Sequence, residues 1–262
     1  MKIRFLKIVF LFCMVIPLAL IGSRFLEYHE EDKKMEQVEN LLDRSIINVP
    51  APTITKVAAG LDVKEQEMLA FIKAEDYLNM EEIQALNIDV VGVVRIDGTR
   101  IDYPVMYTEE MEYYINRDFN GKDSVYGSIF LDSASHSGSS NTIMYGHHMR
   151  NGAMFGELDK YIDSEYAKNH SVIKYISGDR VELYQVAAAF SVSATEEALL
   201  NNLLLDHEGQ AEALTELIMR EQGSLYSELT DADEYISLIT CEYTRSDGRF
   251  LLIGKKIGEV LY

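Results

Sequence analysis

Cysteine is nearly missing from this chain: Cys13 and Cys241 are the two among 262 residues. With no second cysteine at ligand spacing, a structural zinc site is not expected. Cys13 lies inside an apolar N-terminal run, so in an exported protein Cys241 has no partner for an intramolecular disulfide and becomes a candidate reactive thiol. Positive charge is the second shortage. Lys and Arg number 24 against 43 Asp and Glu, a formal net charge of -19, and binding nucleic acid requires clustered cations that this chain does not have. Proline is scarce too. Two of the four prolines fall in NVPAPTIT (Asn48 to Thr55), which marks a break in the chain there. No internal repeat or low-complexity tract is evident, and the aspartates between strand-like runs (Asp97, Asp102, Asp118, Asp123, Asp132) read as turn formers and solvated surface before calcium ligands. Neither a metal nor a cofactor is expected.

What is present begins with a basic cluster, MKIRFLK (Met1 to Lys7), and an apolar run, IVFLFCMVIPLALIG (Ile8 to Gly22), followed by Arg24 and the acidic EYHEED. The positive-inside bias puts the N-terminus in the cytoplasm and everything after the run outside. Roughly 20 apolar residues are the norm for a span, so this one is short, and Pro17 weakens it. Because Arg24 and the bulky residues after it make a poor cleavage site, residues 1–25 read as an uncleaved membrane anchor, with a cleaved signal peptide as the competing reading. Residues 26–60 then form a juxtamembrane stalk. Its apolar Met35, Val38, Leu41, Leu42 and Ile46 recur at helical spacing, and residues 61–262 form the working domain.

Within that domain the spacing predicts helices over Val63 to Tyr77 and Met80 to Leu86. At Asp89 the period turns strand-like: VVGVVRI, the turn DGT and IDYPVMY form an expected hairpin around Asp97-Gly98. GSIFLD, NTIMYGHH, SVIKYI and RVELYQVAAAF continue the β pattern. A helix is expected over His207 to Leu229, with Ala211, Leu214, Leu217 and Ile218 on one side. The strands YISLITC and FLLIGKKI close the chain. Many short strands with few helices predict a mainly β fold, a closed or nearly closed barrel decorated by helices.

Cys241 ends one of the last two strands and Arg249 opens the other, so a thiol and a guanidinium face each other across a short turn. A thiolate needs a base or a cation nearby to act as a nucleophile. Among six histidines, His147 and His148 stand out because Gly146 lets a strand present imidazole at its mouth. His29, His136, His170 and His207 sit in the stalk, a Ser/Gly loop or element ends.

The order NTIMYGHHMRNGAMFGELDKY and then SLITCEYTRSDGR resembles the class B branch of the sortases, membrane-anchored cysteine transpeptidases of Gram-positive surfaces. DVVGVVRIDGTRIDYPV and EYYINRDFNGKDSVYGSIFLD support the resemblance, which covers roughly Ile83 to Ile257. It implies a sortase-type barrel in which Cys241 is the nucleophile, His147 the general acid and base, and Arg249 the group that stabilises the oxyanion and positions substrate. It leaves the role of His148 open and makes Ile115, Tyr145, Thr240 and Glu242 candidates to line the peptide site. No carboxylate is an obvious partner for the imidazole: Asp231, Asp233 and Glu242 lie near Cys241 in sequence, and Glu242 reads as pointing to solvent or substrate. Three positions depart from the family pattern. Val93 replaces a frequent Trp, Ile239 a Ser and Met111 an Asn, so the sorting motif is not transferable. The implied partners are surface proteins with a C-terminal sorting motif and an amine acceptor, either a peptidoglycan precursor or a pilin lysine, at the outer face of the membrane. Two other readings of the residues remain: a cysteine peptidase with water as acceptor, and an anchored scaffold with a degenerate site. Iodoacetamide at neutral pH is expected to alkylate Cys241 selectively, and a thiol as slow as a buried one would favour the scaffold.

Overall fold

The computed structural model describes residues 2–47, 70–110, 112–136, 139–203, 205–242 and 247–262, with side chains described from residue 20 onward except at 134, 136, 197, 200, 201 and 242. The chain divides into two compact units, residues 1–38 and 39–262. Helix α1 covers Lys2–Arg44. Among the described residues no helix is long and apolar enough to cross a membrane, so the structure gives no support to the anchor expected over 1–25, whose uncharged run is short for a span. The break expected at Asn48 to Thr55 and the boundary expected at 60/61 lie outside the described residues.

The larger unit is mainly β. Eight strands close on themselves in the order β5-β1-β2-β3-β4-β8-β9-β6 and back to β5, and a short β7 extends the far half of β6. Their ranges are β1 Val90–Arg95, β2 Asp102–Met106, β3 Ile129–Leu131, β4 Asn141–Tyr145, β5 Val172–Ser177, β6 Arg180–Ser193, β7 Ser224–Leu225, β8 Tyr235–Glu242 and β9 Gly248–Leu261. Five short helices punctuate them: α2 Met80–Leu86, α3 Ser133–His136, α4 Ser164–Asn169, α5 Glu197–Asn202 and α6 Gln210–Arg220. The Asp97-Gly98 hairpin forms as its residues dictate. Gly98 takes a φ of +77°, and β1 pairs antiparallel with β2. Val93, in the place of the family's frequent Trp, is fully buried.

Helix α6 buries Ala211, Leu214, Leu217 and Ile218, the stripe its periodicity predicts, against Ala187, Ala188 and Phe190 of β6. The small alanines let the helix approach the strand closely. Its expected length is wrong, however: α6 stops at Arg220. Gln222 turns left-handed at φ +57° and Gly223 N–H donates back to the Ile218 carbonyl at 2.8 Å, after which the chain pairs with β6. A side chain at Gly223 would come within 2.4 Å of Phe190 Cβ. Periodicity alone does not see that stop. The helix expected over Val63 to Tyr77 is also corrected where it is described, since residues 70–77 hold only one 3₁₀ turn, Ala74–Asp76.

That turn is set by charge. Asp76 is fully buried; it accepts from Arg95 Nη1 at 2.9 Å and from Lys174 Nζ at 2.7 Å, and Lys174, itself 1% exposed, also meets both oxygens of Asp97 at 3.0 Å. Two cations converge on one carboxylate beneath the β1–β2 hairpin. Burial pushes the Asp97 carboxyl up, but hydrogen bonds from Lys174 and Lys73 outweigh it and hold the group below its ordinary value. A carboxylate so depressed stabilises the fold above the unfolded-state value, and that contribution is lost as pH falls through the lower folded-state value. Removing the central charge takes one carboxylate from each of two buried cations, leaving Lys174 with Asp97 and Arg95 with Asp102, so Asp76→Asn is expected to cost about 3 kcal/mol in urea denaturation, against about 1 kcal/mol or less for exposed Asp123→Asn.

Candidate active site

Cys241 sits one residue before the end of β8, between neighbours that run in opposite senses. On one side β4 lies parallel, in a register that pairs Asn141 with Tyr235 and Tyr145 with Ile239. The ladder reaches one residue further, where Gly146 N–H donates to the Ile239 carbonyl at 3.1 Å. Parallel strands advance together, so two residues beyond the Tyr145–Ile239 pair His147 arrives beside Cys241. On the other side β9 lies antiparallel and places Arg249 directly opposite Cys241. Strand register, carried past the end of β4 by the Gly146 contact, thus brings an imidazole, a thiol and a guanidinium to one groove of about 210 Å³, which all three line.

The exit from β4 depends on Gly146. A Cβ there would lie 2.3 Å from Ile129 Cδ1 and 2.8 Å from Phe155 Cδ2, so the strand can press against the barrel wall only without a side chain. The next peptide is held by Phe155 N–H, which donates to the His147 carbonyl at 3.0 Å. His148 leads elsewhere. It bridges to Met154, and its Nε2 lies 3.4 Å from Asp159 Oδ2, which separates the two adjacent histidines and leaves the groove to His147.

Each member of the cluster is half-buried, neither sealed nor fully solvated. Cys241 is a free thiol. Arg249 Nη1 donates to the Gly248 carbonyl at 3.0 Å, and among the described residues the guanidinium makes no ion pair. A cation that lines the same groove as the thiol can bind a developing oxyanion. His147 Nε2 lies 2.6 Å from the Ile115 carbonyl. Among the described residues no carboxylate orients this ring: Asp231 accepts from Gly209 and Ala211 N–H at 2.7 Å each, at the start of α6, and Asp233 pairs with Lys255 at 2.6 Å.

Of the other expected groove residues, Ile115, Tyr145 and Thr240 all line it, whereas the Glu242 side chain and Met111 lie outside the described residues. Thr240 is 2% exposed, and its hydroxyl finds no hydrogen-bond partner among the described residues. Burial, with Asp132 beside it, pushes the Tyr145 phenol up in spite of Arg249, so it stays neutral and donates to Asp132 at 3.2 Å. Ile239, which replaces the family's Ser, contributes apolar wall at 4% exposure. Sequence reasoning missed Glu112, Ser128 and Phe130. All three lie in the stretch EYYINRDFNGKDSVYGSIFLD that carries the resemblance, but nothing in it marks these positions as groove-lining, and Phe130, stacked on Tyr145 at 5.5 Å between ring centres, reads as a strand residue.

Residues 94–257 match the sortase domain family. Sortase B of Listeria monocytogenes is 29% identical over 233 residues, covering 85% of this chain and 88% of that protein. A solved class B sortase from Streptococcus pyogenes, involved in pilus biogenesis, superposes with a TM-score of 0.59 at 28% identity, over 68% of this chain and 97% of that one. The Staphylococcus aureus sortase B–substrate complex superposes with a TM-score of 0.63 at 22% identity, over 87% and 98%, and shares the fold. A family match over more than half of the chain, on a barrel of the same build, makes this protein a member of the sortase family of cysteine transpeptidases, with class B sortases as its relatives.

Proposed function

We propose that this chain cleaves a C-terminal sorting signal at a threonine and transfers the new carboxyl end to an amine. Cys241 thiolate attacks the threonyl carbonyl, forming the S–C bond of a thioacyl-enzyme as the C–N bond breaks. His147 delivers a proton to the departing amine and later removes one from the incoming amine. Arg249 binds the oxyanion of each tetrahedral intermediate and orients the peptide. Ile115, Tyr145 and Thr240 line the peptide's path, and Glu242 is the fourth residue assigned to substrate binding. The observation that carries this reading is the strand register that puts Arg249 opposite Cys241 and His147 beside it.

The acceptor is an amine of peptidoglycan or of a pilin lysine. Supporting the choice of an amine, one solved relative is a sortase B complexed with triglycine, and another is a class B sortase involved in pilus biogenesis. The catalytic domain, residues 61–262, works outside the membrane on a stalk over 26–60. This placement rests on the sequence, where a basic cluster precedes the apolar run and an acidic segment follows it.

Incubating the purified chain with a library of threonine-containing sorting peptides and triglycine is expected to give a thioacyl-enzyme by mass spectrometry and a peptide–triglycine product. Cys241→Ala abolishes both, and Arg249→Lys lowers the acylation rate about a hundredfold, as loss of one oxyanion donor does. Added amine diverts product from free acid to conjugate. Free acid alone at every amine concentration would make the protein a hydrolase, and the absence of any thioacyl-enzyme would end the reading.

A further inference from the structure

The imidazole of His147 has a fixed partner that no catalytic-triad logic supplies: a main-chain carbonyl. Nε2 lies 2.6 Å from the oxygen of Ile115, within the 3₁₀ turn Tyr113–Asn116. A carbonyl only accepts, so the nitrogen facing it carries the proton, and in the neutral ring the lone pair then belongs to Nδ1. The carbonyl is itself held in place. Gly127 lies against it with φ at +60°; a Cβ on that residue would stand 2.3 Å from the Ile115 oxygen, 2.9 Å from its carbonyl carbon and 2.9 Å from the Tyr114 oxygen. All three are main-chain atoms that cannot swing aside as a flexible side chain would. The surroundings pin both partners: Ser128 N–H donates to the Tyr114 carbonyl at 3.0 Å, Ser124 Oγ accepts from Gly127 N–H at 3.2 Å, and Ser128 Oγ donates to the Arg117 carbonyl at 2.9 Å.

We propose that Gly127 is a positioning residue. By presenting no side chain, it lets the Ile115 carbonyl bind Nε2–H of His147, which fixes the ring as the Nε2–H tautomer and assigns proton transfer to Nδ1. This rests on the reading of His147 as the acid and base. The carbonyl takes over the orienting task that a buried aspartate performs in a triad. As with a carboxylate, the nitrogen that donates, here Nε2, keeps its proton in the neutral and the protonated ring alike, so the bond persists while Nδ1 gains and loses its proton; unlike a carboxylate, the carbonyl brings no full negative charge to the ring. The bond strengthens when the ring is charged, as charge-assisted hydrogen bonds do. The ring therefore keeps one orientation through both halves of the transfer cycle, with the leaving amine and the incoming amine meeting the same nitrogen.

The test reads the tautomer independently of catalysis. In the full chain labelled with ¹⁵N-histidine, the His147 signals are assigned by their loss in His147→Asn, and the expected spectrum above the ring's titration shows a protonated Nε2 and an unprotonated Nδ1. Gly127→Ala is expected to populate the other tautomer or mix the two. It should also lower the acylation rate about a hundredfold, in line with a displacement of about 1 Å in a catalytic group, and shift its pH profile. Ile115→Ala keeps the carbonyl and loses the side chain; it is expected to preserve the tautomer while raising KM. A wild-type ring protonated on Nδ1 overturns the proposal even if Gly127→Ala fails to fold. So does a folded Gly127→Ala chain with the wild-type tautomer and pH profile. An active wild-type enzyme with the wrong tautomer sinks only this inference, whereas a correct tautomer with no thioacyl-enzyme sinks only the proposed function.

Discussion

The pairing of β8 with a parallel neighbour on one side and an antiparallel one on the other is the constraint from which the site follows. In an antiparallel pair a residue meets its opposite number directly, and that is how Cys241 meets Arg249. In a parallel pair the two chains advance in step, and that is how His147 reaches the same level. A one-residue slip on either side would turn a partner to the other face of the sheet. Register is therefore guarded from within. Asn141, fully buried at the start of β4, donates through Nδ2 to Ser237 Oγ of β8 at 2.8 Å and to the Leu203 carbonyl at 2.6 Å. The buried amide nitrogen donates to both acceptors in this register, and a slipped strand would leave it without them.

Closure of the barrel has a second charged fastening away from the groove. Asp76, Arg95, Lys174 and Asp97 tie the 3₁₀ turn after residue 73 to β1, β5 and the hairpin between β1 and β2. Such a cluster is a poor source of net stability, because desolvating the ions offsets most of their attraction, but it tolerates no missing member. Its contribution is to geometry. It holds one end of the barrel, while apolar packing between α6 and β6 holds another face.

Much of the barrel was legible because its strands are short and bounded by turn chemistry that leaves few alternatives. Asp97-Gly98 announced its hairpin, and the Ala211, Leu214, Leu217 and Ile218 stripe announced a buried helix face. What stayed hidden depends on contacts distant in sequence. Lys174, a charged residue inside SVIKYI, is drawn into the interior by two carboxylates from elsewhere in the chain that its own segment does not reveal. The end of α6 is set by a left-handed Gln222 and by the proximity of Gly223 to Phe190, neither of which leaves a mark on periodicity. At the site, side-chain identities pointed to Cys241, His147 and Arg249, but the main-chain oxygen of Ile115 carries no residue-type signature and was unreadable before the fold.

Parallel strands also carry a consequence for how the protein comes into being. Asn141 and Ser237 are 96 positions apart, and closing so long a loop is entropically costly before any contact rewards it. The thiol and its imidazole therefore belong to a late event in folding. Until that event Cys241 has neither His147 nor Arg249 beside it, so the chemistry proposed for the thiol waits on a closed barrel.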